Sequence, residues 1–594
     1  MTFHQVRLHH KPLLGALLLT AMLTACGESD DLQAGQPATG AGKQYVSLTF
    51  TMPTQDESSR AGNPTGGEGG DGYEQGQDNE NTITDAVAFF FQNNGAGVNG
   101  DANTPVQYMF FNSFKQTGYG NGNGIDRTYT SKPIPTDLYG EYNVLVVANP
   151  GKDDWWTSTT TLTLGTVRDK VLTQAWAKEG EEYSYFLMSS AADATIQISD
   201  ANNTEATAAN TEINVERMAA RVDYKKDASY TCTDPNYTGA TVEITGATIV
   251  NRLTAGSYLL KRTADDAQGT NLKYLGHEAA TGTDMQATNY VLDPWTADKT
   301  EANLQGTPFI VGGQNVAAAG LYDADTYIPT RSDNPEDWAD YCKAGATNAT
   351  EDGYLRVGYA LENTTDRLST SLNYNTGIVF KAQFHPVGVT TGYTDGQTFF
   401  TYNGVIYPTL TDMMGQLNGQ EDFSTYVGKK IAALTSWDEL KNFAASITND
   451  PTGYRTYLEE YAATHSTETF NRANELKWEY YLSYELGVFE NSQDGPEINQ
   501  NGVETRAVLY KSSGEKLRTY YKGQCYYIWW LRHSNDGDDE KNGVMEYAVV
   551  RNNIYKVNVE SIYSLGGDIP DNEQLKAMVY VNKWSMLPPE VLPM

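Results

Sequence analysis

No HExxH, CxxC, GxSxG, P-loop or dinucleotide fingerprint occurs in these 594 residues. Such patterns gather metal ligands, redox thiols, an activated serine or a phosphate cradle, so their joint absence argues against an enzyme and against a bound cofactor. Histidine is scarce. His277, His385, His465 and His533 stand too far apart for metal-ligand spacing and read as structural. "SNDGDDEKNG" (534–543) has the composition of a calcium loop but lacks the closing Glu of an EF-hand, and reads as a solvated hairpin tip. Basic charge is also in deficit: 42 Lys+Arg face 75 Asp+Glu, a net charge of −33. A nucleic-acid backbone or an anionic lipid surface would repel most of this chain, so neither is expected as a partner.

Cysteine numbers 4, and they stand at wide spacing. Cys26 closes "LTAC" behind the apolar run "LLGALLLTAML", which is too short to span a bilayer and is flanked like a secretory h-region. That is the lipobox pattern, in which residues 1–25 are removed and Cys26 is acylated. "GESDD" after it resembles the acidic tag that directs some Gram-negative lipoproteins to the outer face of the outer membrane. Cys232, Cys342 and Cys525 are an odd set, open to one disulfide with a leftover thiol. Cys525, inside "CYYIWWL", reads as a buried small apolar residue.

What the chain has in abundance is tyrosine, 40 residues, with many Thr, Asn and Gly, a composition suited to strands and turns. "YVSLTFTM" alternates Val46, Leu48, Phe50 and Met52 with Ser47, Thr49 and Thr51, the period of a strand with one buried face. Pro53 stops it. From Thr54 to Asn81 the chain is glycine-rich with almost no apolar side chain, so a mobile, exposed segment is expected. It holds one arginine, Arg60, in "SSRAGNP".

Strand patterns follow in "NENTITDAVAFFF", in "GEYNVLVVANP", where Asn149-Pro150 ends an apolar strand, and in "VERMAARVDY". A second set includes "ATVEITGATIVNRL", "YLRVGYALENTTDRL" and "TGIVFKAQFHP", then "CYYIWWLRH", "RNNIYKVNVESI" and "MVYVNKW". Between 387 and 510 the pattern turns helical. Ser436 and Glu439 have capping-box spacing, and Phe470, Ala473, Leu476, Tyr480 and Tyr484 recur at three and four residues ahead of Gly487. No fixed-period repeat is evident. The fold class expected is mainly β, two β-sandwich-like domains with a helical insertion in the second.

These stretches, in this order, resemble a fimbrillin of type V pili, and within that class the minor-fimbrium major-subunit group. "RNNIYKVNVESI", the aromatic strand "CYYIWW" before it and the final strand with Trp584 are the most specific parts. The resemblance implies a fimbrial subunit exported as a lipoprotein, cleaved after an arginine by a surface arginine-specific protease, and polymerised by strand exchange in support of adhesion. The motif carries over at Arg60, with Ala61 as the new N-terminus. The division implied is signal peptide 1–25, tether and first strand 26–60 removed as a propeptide, an N-terminal fimbrillin β domain 61–228, and a C-terminal one 229–594 with the helical insertion and a terminal donor-type strand. Strand-exchange candidates are Val46, Leu48, Phe50 and Met52 in the first strand and Tyr580 and Trp584 in the last. Implied partners are other copies of the chain, other fimbrial subunits, the protease, and ligands on host or bacterial surfaces. The membrane enters through the precursor's lipid alone, and the cell-surface fimbrium is the expected location. The alternatives are a tip or accessory subunit, or a monomeric lipoprotein binding glycans through aromatics such as Trp155-Trp156 and Trp529-Trp530.

Overall fold

The computed structural model describes residues 43–51, 73–92, 102–117, 128–151, 154–158, 161–172, 177–179, 182–190, 194–250, 257–263, 291–292, 342–347, 353–363, 375–387, 393, 395–486, 488, 517–533, 546–568 and 575–585. The chain is mainly β. Its alternating stretches form strands wherever one face has apolar residues to bury.

The first strand, Gln44–Thr51, lies inside a ten-stranded sheet, between the strand Ala209–Arg217, to which it runs parallel, and the antiparallel strands Thr128–Ser131 and Ile134–Thr136. Val46, Leu48 and Phe50 are fully buried in a core shared with Phe89, Val144 and Ile213. Met52 lies outside the described residues. The strand Gly140–Ala148 ends where the sequence places its stop, at Asn149, which takes up φ +54°. Its amide accepts from Thr84 N–H at 2.9 Å and donates to Thr82 O and Phe186 O at 2.8 and 2.9 Å, bonds that hold an otherwise uncommon left-handed backbone.

"VERMAARVDY" divides at Met218. The residues before it end Ala209–Arg217, and those after it, Ala219–Lys225, sit in a second sheet of order Tyr73–Gln75, Leu575–Ser585, Asn553–Ile562, Ala219–Lys225, Leu355–Leu361, Ala346–Thr347. A four-stranded sheet, Tyr230–Thr231, Thr241–Val250, Gly377–His385 and Gln524–Trp530, shares a core with it, in which Val222, Tyr224 and Val557 meet Val242, Ile244 and Phe380. Tyr224 and Phe380 touch with ring centroids 5.6 Å apart.

The helical region is a satellite with its own core, in which Trp478, Phe423, Tyr454 and Leu458 are fully buried. Four helices, Leu410–Leu417, Phe423–Ala433, Trp437–Ser446 and Tyr454–Thr464, follow the small hairpin Phe399–Tyr402 and Val405–Tyr407. Ser436 caps the third of these by accepting from Glu439 N–H at 3.2 Å, while Glu439 turns back to Thr435 N–H at 2.6 Å, one residue earlier than a reciprocal box requires. The single helix expected through Phe470 to Tyr484 is instead a broken rod: a 3-10 turn at Asn474–Leu476, a helical turn at Trp478–Tyr480 and a π turn at Tyr481–Glu485. Large aromatic rings crowd this stretch. Trp478 packs edge-on to Phe423 at 5.1 Å, and Tyr481 donates to Thr452 O at 2.7 Å, contacts won by widening the helix.

The segment Thr54–Asn81 departs from the expectation at its described end. Tyr73–Gln75 is a strand, Asp78–Asn81 is a helical turn, and Glu80 and Asn81 are fully buried. Composition counts these residues as polar and therefore outside. They are inside because charged partners await them.

Candidate assembly site

The first strand fits its slot through polar as well as apolar contacts. On the outward side Thr51 donates to Asn214 Oδ1 at 2.7 Å, Asn210 donates to Ser47 Oγ at 2.8 Å, and Thr49 donates to Asn210 Oδ1 at 3.1 Å. Leu48 N–H reaches Ser131 Oγ at 2.9 Å on the other flank. The three buried apolar side chains contribute roughly 1.5–3 kcal/mol each relative to exposure. Taking the strand away would leave two facing rows of unpaired backbone groups and an apolar slot, an arrangement that captures another strand.

The terminal strand, Leu575–Ser585, is antiparallel to Asn553–Ile562 from Ile562↔Leu575 to Asn553↔Lys583. Within it Tyr580 stands opposite Lys556 and Trp584 opposite Glu74 of the short strand Tyr73–Gln75. The last strand is therefore joined to its own sheet along its length, so donating it requires its withdrawal. Cys26, Arg60 and Ala61 lie outside the described residues.

A buried polar cluster, not foreseen from sequence, holds the helical turn Asp78–Asn81 against the second sheet. Glu80 accepts from Arg221 Nη1 at 3.1 Å, from Gln77 N–H at 2.7 Å and from the Tyr359 hydroxyl. Arg221 also grips Asp223 at 2.9 Å, and Arg356 donates to Gln77 Oε1 at 2.8 Å. Arg217 donates to Glu80 O at 2.8 Å, to Asn552 Oδ1 at 3.1 Å and to Asn81. Burial alone would raise the Glu80 carboxyl, but Arg221, Tyr359 and the Gln77 N–H together hold it below the usual range. Burial and the adjacent Glu80 push the Tyr359 hydroxyl up, keeping it a donor. Burial lowers Arg217 to about 9 against the pull of Glu80, so it stays charged at neutral pH. A second buried pair lies near the same joint: Arg551 meets Glu362 at 2.5 Å and donates to Tyr258 O at 2.6 Å and Ser189 Oγ at 3.3 Å. Spacing along the sequence could not have found either cluster, since Glu80, Arg221 and Tyr359 are brought together from three distant segments.

Cys232, Cys342 and Cys525 are free and buried, so none forms the disulfide left open by their number. Burial pushes the Cys342 and Cys525 thiols up to about 12 and Cys232 to about 11. The tryptophan pairs do not form an open platform. Trp156 is buried, and Trp155 stacks on Phe89 at 5.8 Å with Lys170 over its ring. Trp529 and Trp530 are half-buried and pack against the two cores.

Residues 518–587 match the family described as major fimbrial subunit protein type IV, fimbrillin, C-terminal. The fimbrillin likeness is a likeness of this C-terminal stretch. That span includes the aromatic strand Gln524–Trp530, Asn553–Ile562 and the terminal strand, the stretches most specific in the sequence. No curated protein is similar enough to count as a match. Among solved structures, the chain is similar to a putative cell adhesion protein from Parabacteroides distasonis ATCC 8503 (12% identity, TM-score 0.36, covering 91% of this chain and 100% of that one). It is also similar to a fimbrilin (fimA) from Porphyromonas gingivalis W83 (11%, 0.32, 92% and 99%) and to the C-terminally truncated tip fimbrial protein Mfa3 from Porphyromonas gingivalis (9%, 0.31, 91% and 100%).

Proposed function

We propose that this chain is a structural subunit of a cell-surface fimbrium, in the type V class and nearest to the minor-fimbrium major-subunit group. The observation that carries the reading is the fimbrillin match over residues 518–587. The precursor loses residues 1–25, is acylated at Cys26, and travels as an outer-membrane lipoprotein with its first strand in place. A surface arginine-specific protease then cuts after Arg60, the arginine offered by the glycine-rich linker. The propeptide 26–60, carrying lipid and first strand together, departs, and the body from Ala61 onward, an N-terminal domain to 228 and a C-terminal domain from 229, is left with an open slot. A strand from the next copy fills it. Donor and slot sit on different parts of the subunit, so the contact repeats without closing and yields a fibre. Other fimbrial subunits are the natural partners at its ends.

N-terminal sequencing of subunits from purified filaments tests this reading. The expected start is Ala61, and Arg60→Ala is expected to accumulate as lipidated monomer. Filaments whose subunits still begin at Cys26 would overturn it.

A further inference from the structure

The molecule has two poles. In the N-terminal sheet, Arg217 and Ala148 lie toward the joint with the second sheet, while Gln44↔Thr136 and Gly140↔Ile198 mark the far end. In the second sheet Asn552 N–H bonds Ala219 O at the joint, and Ile562↔Leu575 and Thr241↔His385 mark the opposite end.

At this second pole lies an open groove of about 350 Å³, lined among others by Tyr237, Phe384, Val387, Val405 and Ile406. Val387 and Val405 are 63% and 51% exposed, an unusual position for branched apolar residues. No lining residue is charged, and the Tyr237 hydroxyl already donates to Gly404 O at 3.1 Å. The groove therefore offers little to an ionic ligand. An uncharged contact is what a chain of net charge −33 needs to meet its own kind without repulsion. At the first pole, Tyr139 stands 53% exposed, next to the end of the slot occupied by Gln44.

We propose that the occupant of this groove is a second copy of the chain, with Tyr139 of one subunit seated between Val387 and Val405 of the next. The proposal rests on the fimbrial reading above. What favours a second copy is continuity with the strand exchange. Ile562 and Leu575 face each other at the groove's pole, where Thr233 and Asp234 N–H both bond Tyr563 O at 3.0 and 2.8 Å. A terminal strand leaving its sheet from Leu575 onward leaves from that pole. It would enter its neighbour beside Tyr139 and run as the first strand runs, from the Gln44 end toward Thr51. The groove and Tyr139 would then form the rigid collar around the exchanged strand, orienting one subunit on the next.

Cysteine mapping in polymerising full-length precursor tests the contact, since a disulfide forms only with Cα atoms within roughly 7 Å. The described native thiols are buried and silent. Tyr139→Cys with Val405→Cys, assembled and then oxidised, is expected to give a ladder of covalent oligomers, and Tyr139→Cys with Tyr484→Cys, on the helical satellite, none. Filaments without a ladder in the first variant would overturn the docking contact and leave the fimbrial reading standing. Failure of the unsubstituted chain to polymerise after cleavage would overturn that reading itself. A second pair guards against a variant that assembles poorly. Tyr139→Lys and Val405→Glu should each cut the polymerised fraction by about tenfold and recover most of it when combined. Additive losses in the double variant would overturn the contact.

Discussion

Arg221 Nη1 lies 3.1 Å from Glu80 Oε2, both side chains fully enclosed, joining the helical turn Asp78–Asn81 to a central strand of the second sheet. Replacing Glu80 leaves the enclosed Arg221 with Asp223 as its remaining carboxylate partner and takes the acceptor away from the Tyr359 hydroxyl. Glu80→Gln is expected to destabilise the protein by about 3–5 kcal/mol, read as a drop in the urea midpoint of the purified subunit.

The same carboxylate sets an acid limit. Its pKa is lowered in the folded state relative to the ordinary value of 4.5, so its stabilisation is fully present above that value and is lost as pH falls through the folded pKa. The melting-temperature gap between the parent and Glu80→Gln should be widest near neutrality and close as the pH drops below about 4.5. A gap that widens on acidification would contradict the assignment.

Phe50 packs against Phe114 with ring centroids 5.2 Å apart and is fully buried. Phe50→Ala is expected to cost the uncleaved precursor about 3–5 kcal/mol. After cleavage at Arg60 and loss of the strand, the variant and the parent should form filaments of equal thermal stability.

Deleting residues 577–594 takes from Asn553–Ile562 seven of the nine register pairs it makes with the terminal strand. The second sheet should lose cooperative unfolding while the N-terminal sheet keeps its own, seen by hydrogen exchange as protection lost at Asn553–Ile562 and retained at Ala86–Phe91. A truncated chain of unchanged stability would mean that the strand contributes nothing to its own sheet and is held for a neighbour alone.

Cys232, Cys342 and Cys525, buried and with thiols raised to about 11–12, are expected to resist a thiol-specific reagent at pH 8 and to react together once the chain is unfolded. Labelling of any of the three in the folded mature subunit would show local opening of its sheet.

The strands were legible where alternation was clean. Val46, Leu48 and Phe50 point inward as their spacing requires, and Asn149-Pro150 ends its strand. The cap at Ser436 was legible for the same local reason, because it needs nothing beyond its own turn. What could not be read depends on distance in the chain. Glu80 is buried because Arg221 and Tyr359 arrive from far along the sequence, and the interruption at Trp478–Glu485 arises because Phe423 and Thr452 claim aromatic groups that a regular helix would point elsewhere. Likewise "MVYVNKW" announced a strand without saying which sheet would hold it.

Met218, fully buried and bonded through its N–H to Leu187 O at 2.9 Å, is the one residue between Ala209–Arg217 and Ala219–Lys225, so a nearly continuous strand passes from one pole of the molecule to the other. A pull applied between the poles acts along that line. The ladders flanking it, parallel to Gln44–Thr51 on one side of Met218 and to Asn553–Ile562 on the other, would be loaded in shear, with their hydrogen bonds resisting together and not opening one after another. The buried Arg217, Arg221 and Arg551 clusters beside the joint rivet it against twisting. Tension borne by such a body is spread over its whole length.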